Sequence, residues 1–347
     1  MKMTARNDRA DAPVRIAMAM GDPCGISPEL AAKLLARQDV VGGAAILVIG
    51  DRRILAAGES AAKVTLDLPV VRQAAEANLG PGRPVMLDLG HCDPASIKLG
   101  EASAAGGSFA MSNFRLALEL AKAGRVDAVL FTPFNKAALK LAGNPYEDEI
   151  HFAADVLGFH GPASEFNVLG SLWNARVTSH VPLAKVASLL TRESVLGSLV
   201  LADQAMRMAG FDPPRIAMAA LNPHAGDGGN FGREEIDVLA PVAAEGRARG
   251  VAVEGPFPAD TVFLRAKAGQ FDAVLTMFHD QGQIAMKLMG FERGVTVLGG
   301  LPVPICTPAH GTAYDIAGQG KANVEASVQA FLTACAMGEK ARRARAA

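Results

Sequence analysis

The sequence comprises 347 residues, half of them hydrophobic and 20% charged, which is enough for one large hydrophobic core or two of ordinary size. Its 34 basic and 35 acidic side chains leave a formal net charge of -1 at pH 7, so the whole molecule exerts no strong attraction on nucleic acids or anionic membranes. We therefore expect neither of these as a partner, and a charged small-molecule ligand must be recognised by local groups.

The cysteines and the amino-terminal segment indicate the cellular compartment. The four cysteines are far apart in sequence and form no Cys-x-x-Cys pair, which argues against a disulfide framework or a thiolate metal site. The first fifteen residues are polar, carry charges of both signs and lack the apolar segment of a signal peptide. No stretch approaches the roughly 20 apolar residues needed to cross a bilayer. We therefore predict a cytoplasmic protein.

Short apolar segments alternate along the chain with segments of helical periodicity. The apolar segments predict buried strands at 14–20, 45–49, 126–132, 215–221 and 272–277. The periodic segments predict helices at 109–122, 194–208, 234–249 and 326–337, and a glycine closely follows the first three. This alternation predicts an α/β fold. The length predicts a second lobe, with crossings near Pro133 and in the Gly- and Pro-rich segment 299–308.

The first predicted strand runs into the glycine-rich segment 20–29, which reads MGDPCGISPE. Ser27 is expected at the N-cap of the following helix, Pro28 at its first position and Glu29 in its first turn. An α/β protein usually builds a ligand loop at such a place, although a tight strand-to-helix turn explains the segment equally well. The Gly-x-Gly-x-x-Gly fingerprint is absent from such strand–turn–helix contexts, so an ordinary Rossmann dinucleotide site is not expected.

Three histidines each follow a predicted strand. His180 lies in TSHVPL (178–183), His224 in LNPHAG (221–226) and His279 in MFHDQG (277–282). Since the carboxyl ends of parallel strands meet at one edge of a sheet, the three imidazoles could approach one another and bind a divalent metal. Without a short-range pair such as His-x-x-x-His, the spacing leaves open that they are structural residues.

The segment 310–323, HGTAYDIAGQGKAN, resembles the adenosine-binding loop of the β-decarboxylating dehydrogenases of the isocitrate and isopropylmalate type. In that loop a His and an Asn flank the adenine, which would assign these roles to His310 and Asn323, with Gly311 and Thr312 beside them. An acidic residue at the position of Asp315 accepts from the ribose 2'-hydroxyl and repels a 2'-phosphate. The resemblance therefore implies NAD rather than NADP.

Five motifs together resemble those of the 4-hydroxythreonine-4-phosphate dehydrogenase (PdxA) family. They are GDPCGISPE (21–29), PFNKAAL (133–139), LNPHAGDGGNFGREE (221–235), GPFPADT (255–261) and FHDQG (278–282). The resemblance implies an NAD-dependent, metal-requiring homodimer with an active site shared between the subunits. It also implies a two-lobed isocitrate/isopropylmalate-dehydrogenase-like α/β fold with the active-site cleft between the lobes.

Residue by residue, the resemblance assigns the metal to His180, His224 and His279 and a substrate-binding lysine to Lys287. The metal could be Zn, Co, Ni or Mg/Mn, and an all-imidazole protein set favours the first three. The expected domains are a discontinuous nucleotide-binding lobe, 1–135 with 290–347, and a lobe for metal, substrate and dimerisation, 136–289.

This chain departs from the family pattern where the substrate phosphate is held. The family's His-Thr-Glu becomes Glu149, Ile150 and His151, and a carboxylate at Glu149 would repel a phosphate dianion. A downstream Asn and Arg of the family become Thr296 and Ile305, and an isoleucine cannot replace a bidentate guanidinium.

These departures leave Lys287 as the one expected phosphate-binding group. Compensation by Arg293 or Lys136, or a different alignment, would preserve a phosphate site. Taken as they stand, the departures predict a substrate without phosphate, such as the cis-dihydrodiol carboxylate of aromatic-acid degradation (terephthalate type), whose ring would suit Ile150 and Ile305.

The chemistry implied by the resemblance is oxidation of a hydroxy acid followed by decarboxylation. A metal stabilises the alkoxide while hydride passes to the nicotinamide, and it then stabilises the enolate left by loss of CO2. Asp260 and Asp280 are candidates for orienting a metal ligand or accepting a proton, and Lys287 for binding a substrate anion or acting as general acid. Asn135 and Lys136 are candidate substrate-binding residues.

Two alternatives stay open for the function. The first is the parent activity on 4-hydroxythreonine 4-phosphate in pyridoxal phosphate biosynthesis, or on a phosphorylated tetronate. The second, from another class, is a metal hydrolase or a non-catalytic metal-binding protein whose nucleotide loop is vestigial. The histidines His91, His151 and His160 receive no role.

Overall fold

The computed structural model describes residues 12–346 of the chain, so most of the segment compared above with a signal peptide lies outside the described residues. The strands are β1 (Arg15–Ala19), β2 (Ala45–Gly50), β3 (Val70–Val71), β4 (Val85–Asp88), β5 (Ala128–Phe131), β6 (Ser164–Leu169), β7 (Leu172–Arg176), β8 (Ile216–Ala219), β9 (Val253–Phe257), β10 (Ala273–Thr276), β11 (Val295–Gly299) and β12 (Ile305–Pro308). The helices are α1 (Ser27–Ala36), α2 (Gln38–Val41), α3 (Arg52–Ala62), α4 (Ala104–Lys122), α5 (Lys136–Leu141), α6 (Glu149–Leu157), α7 (Val186–Leu189), α8 (Arg192–Met208), α9 (Ala240–Ala248), α10 (Ala259–Lys267), α11 (His279–Gly290) and α12 (Glu325–Ala346).

The strands and helices confirm the α/β prediction. Each predicted strand is present with ends within two residues of those predicted, because each one is a short apolar segment that is buried in the sheet. Gly124, Gly210 and Gly250 have positive φ angles of 68°, 110° and 85°, as expected for residues that follow a helix.

The predicted helix 234–249 differs from the prediction in its first half. Residues Glu235–Leu239 form a π-helical turn, and α9 begins only after it. Pro241 lies in the first turn of α9, and a proline cannot donate the hydrogen bond that would continue an α-helix through this point. The residues before Pro241 therefore form a π-helical turn instead of a regular α-helical one. Such turns are often found near functional sites.

The first compact unit comprises the residues up to His160 and those from Leu301 onward. Its sheet has the order β3-β4-β2-β1-β5-β12, and all neighbouring strands are parallel. Helices α4 and α12 both pack on the central strands β1 and β5. Because β1, β5 and β12 are parallel neighbours, the segments that follow them lie at one edge of the sheet. These segments contain the motif 21–29, Asn135 and the loop 310–323.

The second compact unit comprises Gly161–Gly300. Its strand order is β11-β6-β7-β10-β8-β9, with β7, β10, β8 and β9 parallel and β6 antiparallel to both of its neighbours. The strands β7, β10 and β8 are adjacent, and His180, His279 and His224 follow them. The carboxyl ends of the three strands that precede these histidines therefore lie at the same edge of the sheet.

The boundaries of these units differ from the lobes expected from the sequence. The contacts divide the chain after His160 and after Gly300, so α5 and α6 belong to the first unit, where both pack on α4. In the described part of the chain, none of the helices combines the length and the apolar character that crossing a membrane requires. The cytoplasmic location stays a prediction.

Candidate active site

His180 and His279 face each other at the carboxyl edge of the second unit. Their ring centroids are 5.6 Å apart and their planes are inclined by 42°. Both side chains line a cavity of about 350 Å³ together with Thr178, Phe278 and Asp280. The separation and the shared cavity suit two imidazoles that converge on one small ligand.

The turn that presents His180 is strained and firmly bonded. His180 has a φ angle of 53°, in the left-handed region that L-residues rarely occupy. Thr178 binds the carbonyl of Met277 through both its backbone N–H (3.1 Å) and its hydroxyl (2.8 Å). Arg176 donates from Nε to the Ser179 hydroxyl at 2.8 Å. These bonds hold the turn in place and so fix the position of His180.

A buried polar network supports this turn and was not predicted from the sequence. Arg176 is buried and also donates to Asn167 Oδ1 (2.6 Å) and Glu165 Oε2 (3.1 Å). Gln283 of α11 donates to the same oxygen of Asn167. The network therefore connects the turn before His180 with the helix that carries His279. An arginine within the segment 172–177, which is apolar except for Asn174 and Arg176, was the signal that could have revealed it.

Asp280 orients His279. The Asp280 Oδ1 atom lies 2.7 Å from Nδ1 of the imidazole, so the ring nitrogen donates to the carboxylate and Nε2 is left to point elsewhere. Carboxylate–histidine pairs of this kind typically accompany metal ligands. Gln281 fixes the start of α11 by accepting from the Met277 N–H and donating to the Ala220 carbonyl, both at 2.7 Å.

His224 lies in a left-handed turn. The five residues from His224 to Gly228 have φ angles of 54°, 54°, 81°, 44° and 65°, and three of the five are not glycine. Each such residue costs roughly 1–2 kcal/mol relative to the right-handed form. Glu235, which is buried, accepts from the backbone N–H groups of Leu221 (2.9 Å) and Asn222 (2.8 Å). Its carboxylate also accepts from Asn222 Nδ2 at 2.9 Å and thereby fixes the entry to the turn.

The structure places two of the three histidines side by side. Among residues 12–346, no group of three His, Cys, Asp or Glu side chains is arranged to hold a metal ion. The structure brings His180 and His279 together, while the ring of His224 lies near that of Phe231, with centroids 6.0 Å apart. The metal site at the three histidines stays a prediction.

The other predicted residues of this unit are distributed around the pair. Lys287 lies two turns after His279 on α11 and is exposed, and Asp260 is exposed in the first turn of α10. Thr296 is half-buried on β11, opposite Asn167 of β6. Thr296 thus adjoins the polar network that supports the histidine turn.

In the first unit, His310 has the properties of a neutral hydrogen-bond acceptor. Its Nδ1 lies 3.0 Å from the carbonyl of Gly311, and because a carbonyl only accepts, Nδ1 carries the proton. The Nε2 atom is buried and has no partner within the described residues. Burial lowers the pKa of His310 below its ordinary value of 6.5, so the ring stays neutral. An acceptor of this kind fits the amino group of a purine.

Of the four other residues assigned to the nucleotide, three are exposed. Gly311, Asp315 and Asn323 are exposed, whereas Thr312 is buried. Asn323 accepts from the Glu325 N–H at 2.9 Å and thereby caps α12. The carboxylate of Asp315 is exposed, and its contact with a ribose hydroxyl stays a prediction.

Apart from Thr296, the positions of the altered phosphate clamp lie in the first unit. Glu149 is the half-buried first residue of α6. Ile150 is 6% exposed, and Ile305 is fully buried on β12, paired with Val129. Packing therefore accounts for both isoleucines without a ligand. The adjacent His151 is exposed, and its Nδ1 lies 2.6 Å from the N-cap residue Asp148.

Asn135 and Lys136 begin α5 at the same sheet edge. Asn135 caps the helix by accepting from the Ala138 N–H at 3.0 Å, and its Nδ2 lies 3.4 Å from the Thr312 hydroxyl. Lys136 is exposed.

Of the histidines without a predicted role, His91 stacks on Phe109 with ring centroids 4.9 Å apart.

Ser27 does not cap α1 as predicted. Ile26 occupies the N-cap position, and the Ser27 hydroxyl donates instead to the Pro133 carbonyl at 2.7 Å. The correction has a simple cause, because Ser27 is fully buried against the segment after β5 and its hydroxyl needs an acceptor there.

Comparison with known proteins identifies close relatives. The model of the family described as pyridoxal phosphate biosynthetic protein PdxA matches residues 43–334. A Rhizobium meliloti protein provisionally named 4-hydroxythreonine-4-phosphate dehydrogenase 2 is 58% identical over 332 residues, which cover 96% of this chain and 95% of the relative. A Symbiobacterium thermophilum protein provisionally named D-threonate 4-phosphate dehydrogenase is 38% identical, with 95% of this chain and 98% of the relative covered.

Solved structures of similar proteins also match this chain. The 4-hydroxythreonine-4-phosphate dehydrogenase of Klebsiella pneumoniae matches with a TM-score of 0.83 and 36% identity, covering 95% of this chain and 99% of the other. A terephthalate 1,2-cis-dihydrodiol dehydrogenase of Burkholderia xenovorans matches with a TM-score of 0.63 and 29% identity, covering 91% and 98%.

Proposed function

Because the chain belongs to the PdxA family of dehydrogenases, we propose that it oxidises a hydroxyl group of a small phosphorylated substrate, 4-hydroxythreonine 4-phosphate or D-threonate 4-phosphate. The observation that carries the proposal is the 58% identity to a relative named for the first of these substrates. The family match over residues 43–334 includes the candidate residues of both units.

The non-phosphorylated cis-dihydrodiol carboxylate, which the sequence analysis favours, is less well supported. The solved dihydrodiol dehydrogenase is less similar in fold and sequence than the Klebsiella enzyme. The isoleucines that seemed suited to an aromatic ring, Ile150 and Ile305, are core residues. The dihydrodiol carboxylate is kept as the second candidate, because the changes at Glu149 and Thr296 still distinguish this chain from the family pattern.

We assign the substrate phosphate to cationic side chains outside the altered clamp. Lys287 and Arg293 of the second unit and Lys136 of the first are exposed. An ammonium or guanidinium group can replace the missing clamp residues as a phosphate donor. Lys287 is the leading candidate because it shares α11 with His279.

NAD is the proposed oxidant. His310 would accept from the adenine through Nε2, and Gly311, Thr312 and Asn323 would complete the adenosine site. The carboxylate of Asp315 would accept from the ribose 2'-hydroxyl and would repel the extra phosphate of NADP. The buried and unpartnered Nε2 atom supports this assignment.

A divalent metal is proposed at His180 and His279, with His224 contributed by a second copy of the chain. This assignment is supported by the finding that, among residues 12–346, no third His, Cys, Asp or Glu joins the pair in a metal-binding group. Ile284 and Leu288, one turn apart on α11, are 61% and 84% exposed, and apolar side chains in this position favour a protein partner. A bound metal would supply Lewis acidity for the oxidation and the accompanying decarboxylation. Imidazole ligands favour Zn, Co or Ni over Mg or Mn.

The protein's own groups have distinct tasks in this proposal. Asp280 holds the tautomer of His279, as the 2.7 Å contact supports. Lys287 binds the substrate anion and can deliver a proton. Asp260, which is exposed, can accept the proton of the substrate hydroxyl.

The test is turnover of defined substrates. Purified protein with NAD and each divalent metal is offered 4-hydroxythreonine 4-phosphate, D-threonate 4-phosphate and the terephthalate cis-dihydrodiol while NADH is followed. We expect turnover of a phosphorylated compound, and turnover of the dihydrodiol alone would overturn the proposal. His224→Ala should abolish turnover and reduce metal content, whereas His160→Ala, at an exposed histidine without a proposed role, should change neither.

A further inference from the structure

We infer that Glu29, together with Asp22, positions the nucleotide loop 310–323, and that the motif 21–29 braces this loop instead of binding a ligand itself. The inference rests on the proposed function where it names NAD as the ligand of the loop. Both carboxylates act as positioning residues, since they act through the loop.

Burial decides between the two interpretations of the motif. Every residue from Gly21 to Leu30 is buried, so the segment presents little surface to a ligand. A ligand-binding loop would instead require exposed backbone N–H groups. The glycines have another use, because a Cβ on Gly25 would lie 2.5 Å from the carbonyl oxygen of Thr312. Gly25 therefore permits close contact with the nucleotide loop.

The Glu29 side chain binds backbone groups at the carboxyl-terminal end of the loop. The carboxylate is 2% exposed and accepts from the N–H groups of Gly320 (3.1 Å) and Ala322 (2.8 Å). Lys33, one turn later on α1, forms an ion pair with Glu29 at 2.7 Å. Its ammonium group also donates to the carbonyls of Gly320 (2.9 Å) and Ala322 (2.7 Å). One ion pair thus satisfies four backbone groups of the segment just before Asn323.

The amino-terminal end of the loop is also held by hydrogen bonds to the motif 21–29. The N–H of Ile26 donates to the Thr312 carbonyl at 3.0 Å. The Tyr314 hydroxyl donates to Asp22 Oδ2 at 2.5 Å, and Asp22 is fully buried. These contacts lie immediately before Asp315.

The two anchors bracket the residues that would meet the nucleotide. Asp315 is exposed and follows the Tyr314 anchor, and Asn323 is exposed and follows the Ala322 anchor. Between them the regular structure is a single 3-10 turn, Tyr314–Ile316, so the loop depends on outside contacts for its shape. The position of the nucleotide-binding side chains is therefore set from α1 and the turn before it.

The test compares Glu29→Gln with Glu59→Gln. Glu59 is the matched control because it is also buried, accepts the Leu66 N–H at 2.7 Å and pairs with Arg52. A glutamine at 29 turns an amide donor toward a backbone N–H and removes the partner of Lys33. We expect faster hydrogen exchange in peptides covering 312–323 and at least a tenfold rise in the calorimetric Kd for NAD. Glu59→Gln should lower Tm without raising this Kd.

A second pair of variants keeps the test decisive if Glu29→Gln does not fold. Tyr314→Phe removes only the hydroxyl that binds Asp22, and the control Tyr146→Phe removes the hydroxyl that binds Asp155 at 2.6 Å. We expect Tyr314→Phe to bind NAD severalfold more weakly than the wild type. Tyr146→Phe should bind NAD with unchanged affinity. Equal NAD affinity in wild type, Tyr314→Phe and any folded Glu29→Gln protein would overturn the inference.

Failure of the proposed function would look different from failure of the inference. If the wild type binds no NAD, the cofactor assignment fails. The exchange measurement then still shows whether Glu29 and Asp22 brace the loop, and unchanged exchange in Glu29→Gln or Tyr314→Phe would refute the bracing.

Discussion

Buried carboxylates in this protein serve to hold irregular backbone. Glu29 binds N–H groups of the nucleotide loop, and Glu235 binds the N–H groups that lead into the turn of His224. A buried carboxylate is costly unless several donors satisfy it, so each one requires its loop to keep a single conformation. The positions of the candidate site residues Asn323 and His224 therefore depend on carboxylates that have no proposed contact with a ligand.

At the residue scale, His310 predicts a pH dependence of NAD binding. Its pKa is lowered from 6.5 by burial, so the folded protein favours the neutral ring. The stability contributed by the neutral ring is complete above pH 6.5 and is lost as the pH falls through the lower pKa of the folded state. Affinity for NAD should decline in the same window, because protonated Nε2 cannot accept. Calorimetric titrations at several pH values check this, and an unchanged decline in His310→Gln would contradict it.

At the scale of elements, the left-handed turn stores strain that can be measured. Ala225→Gly should raise the free energy of unfolding by about 1 kcal/mol, because glycine adopts a φ angle of 54° without steric cost. The control Ala244→Gly, at an exposed position within α9, should lower it by about the same amount. Denaturant unfolding measures both. A destabilised Ala225→Gly would show that this turn is not strained.

The regular elements could be predicted from the sequence, whereas the irregular ones could not. Strands such as β1 and β10 are continuous apolar segments, and their burial on both faces produces that pattern. The turn of His224 has no such signal, since His224, Ala225 and Asp227 ordinarily avoid positive φ, and the entry to the turn is held by Glu235. Local pattern reasoning has no access to contacts of that kind.

For the same reason, only part of the candidate site could be predicted from the sequence. The adjacency of His180 and His279 follows from parallel neighbouring strands and could be anticipated. The buried network around Arg176 and the bracing role of Glu29 depend on partners distant in sequence, and the motif alone left two interpretations open. Ser27 was misplaced because a buried hydroxyl found an acceptor on another segment.

At the scale of the whole molecule, the exposed apolar residues of α11 predict the assembly. Leu288→Glu should convert the proposed dimer into a monomer, because a carboxylate would be buried in the interface. Metal affinity should fall at least tenfold in the same variant if His224 comes from the second copy. Light scattering and metal titration measure the two effects.

The control for this prediction is Leu332→Glu. Leu332 is 45% exposed on α12 in the other compact unit and should tolerate the charge without dissociation. A Leu288→Glu protein that stays dimeric would place the interface elsewhere. A monomer with unchanged metal affinity would show that one chain completes the site alone.

The backbone attachment of the loop 310–323 has a consequence for protein engineering. Glu29 and Lys33 bind the N–H and carbonyl groups of Gly320 and Ala322, so this support does not depend on the side chain at position 315. If NAD binds as proposed, the shape of the loop and the choice of coenzyme are determined by different residues. Redesign of the coenzyme preference can begin at Asp315 and its exposed neighbours while the scaffold that shapes the loop is left untouched.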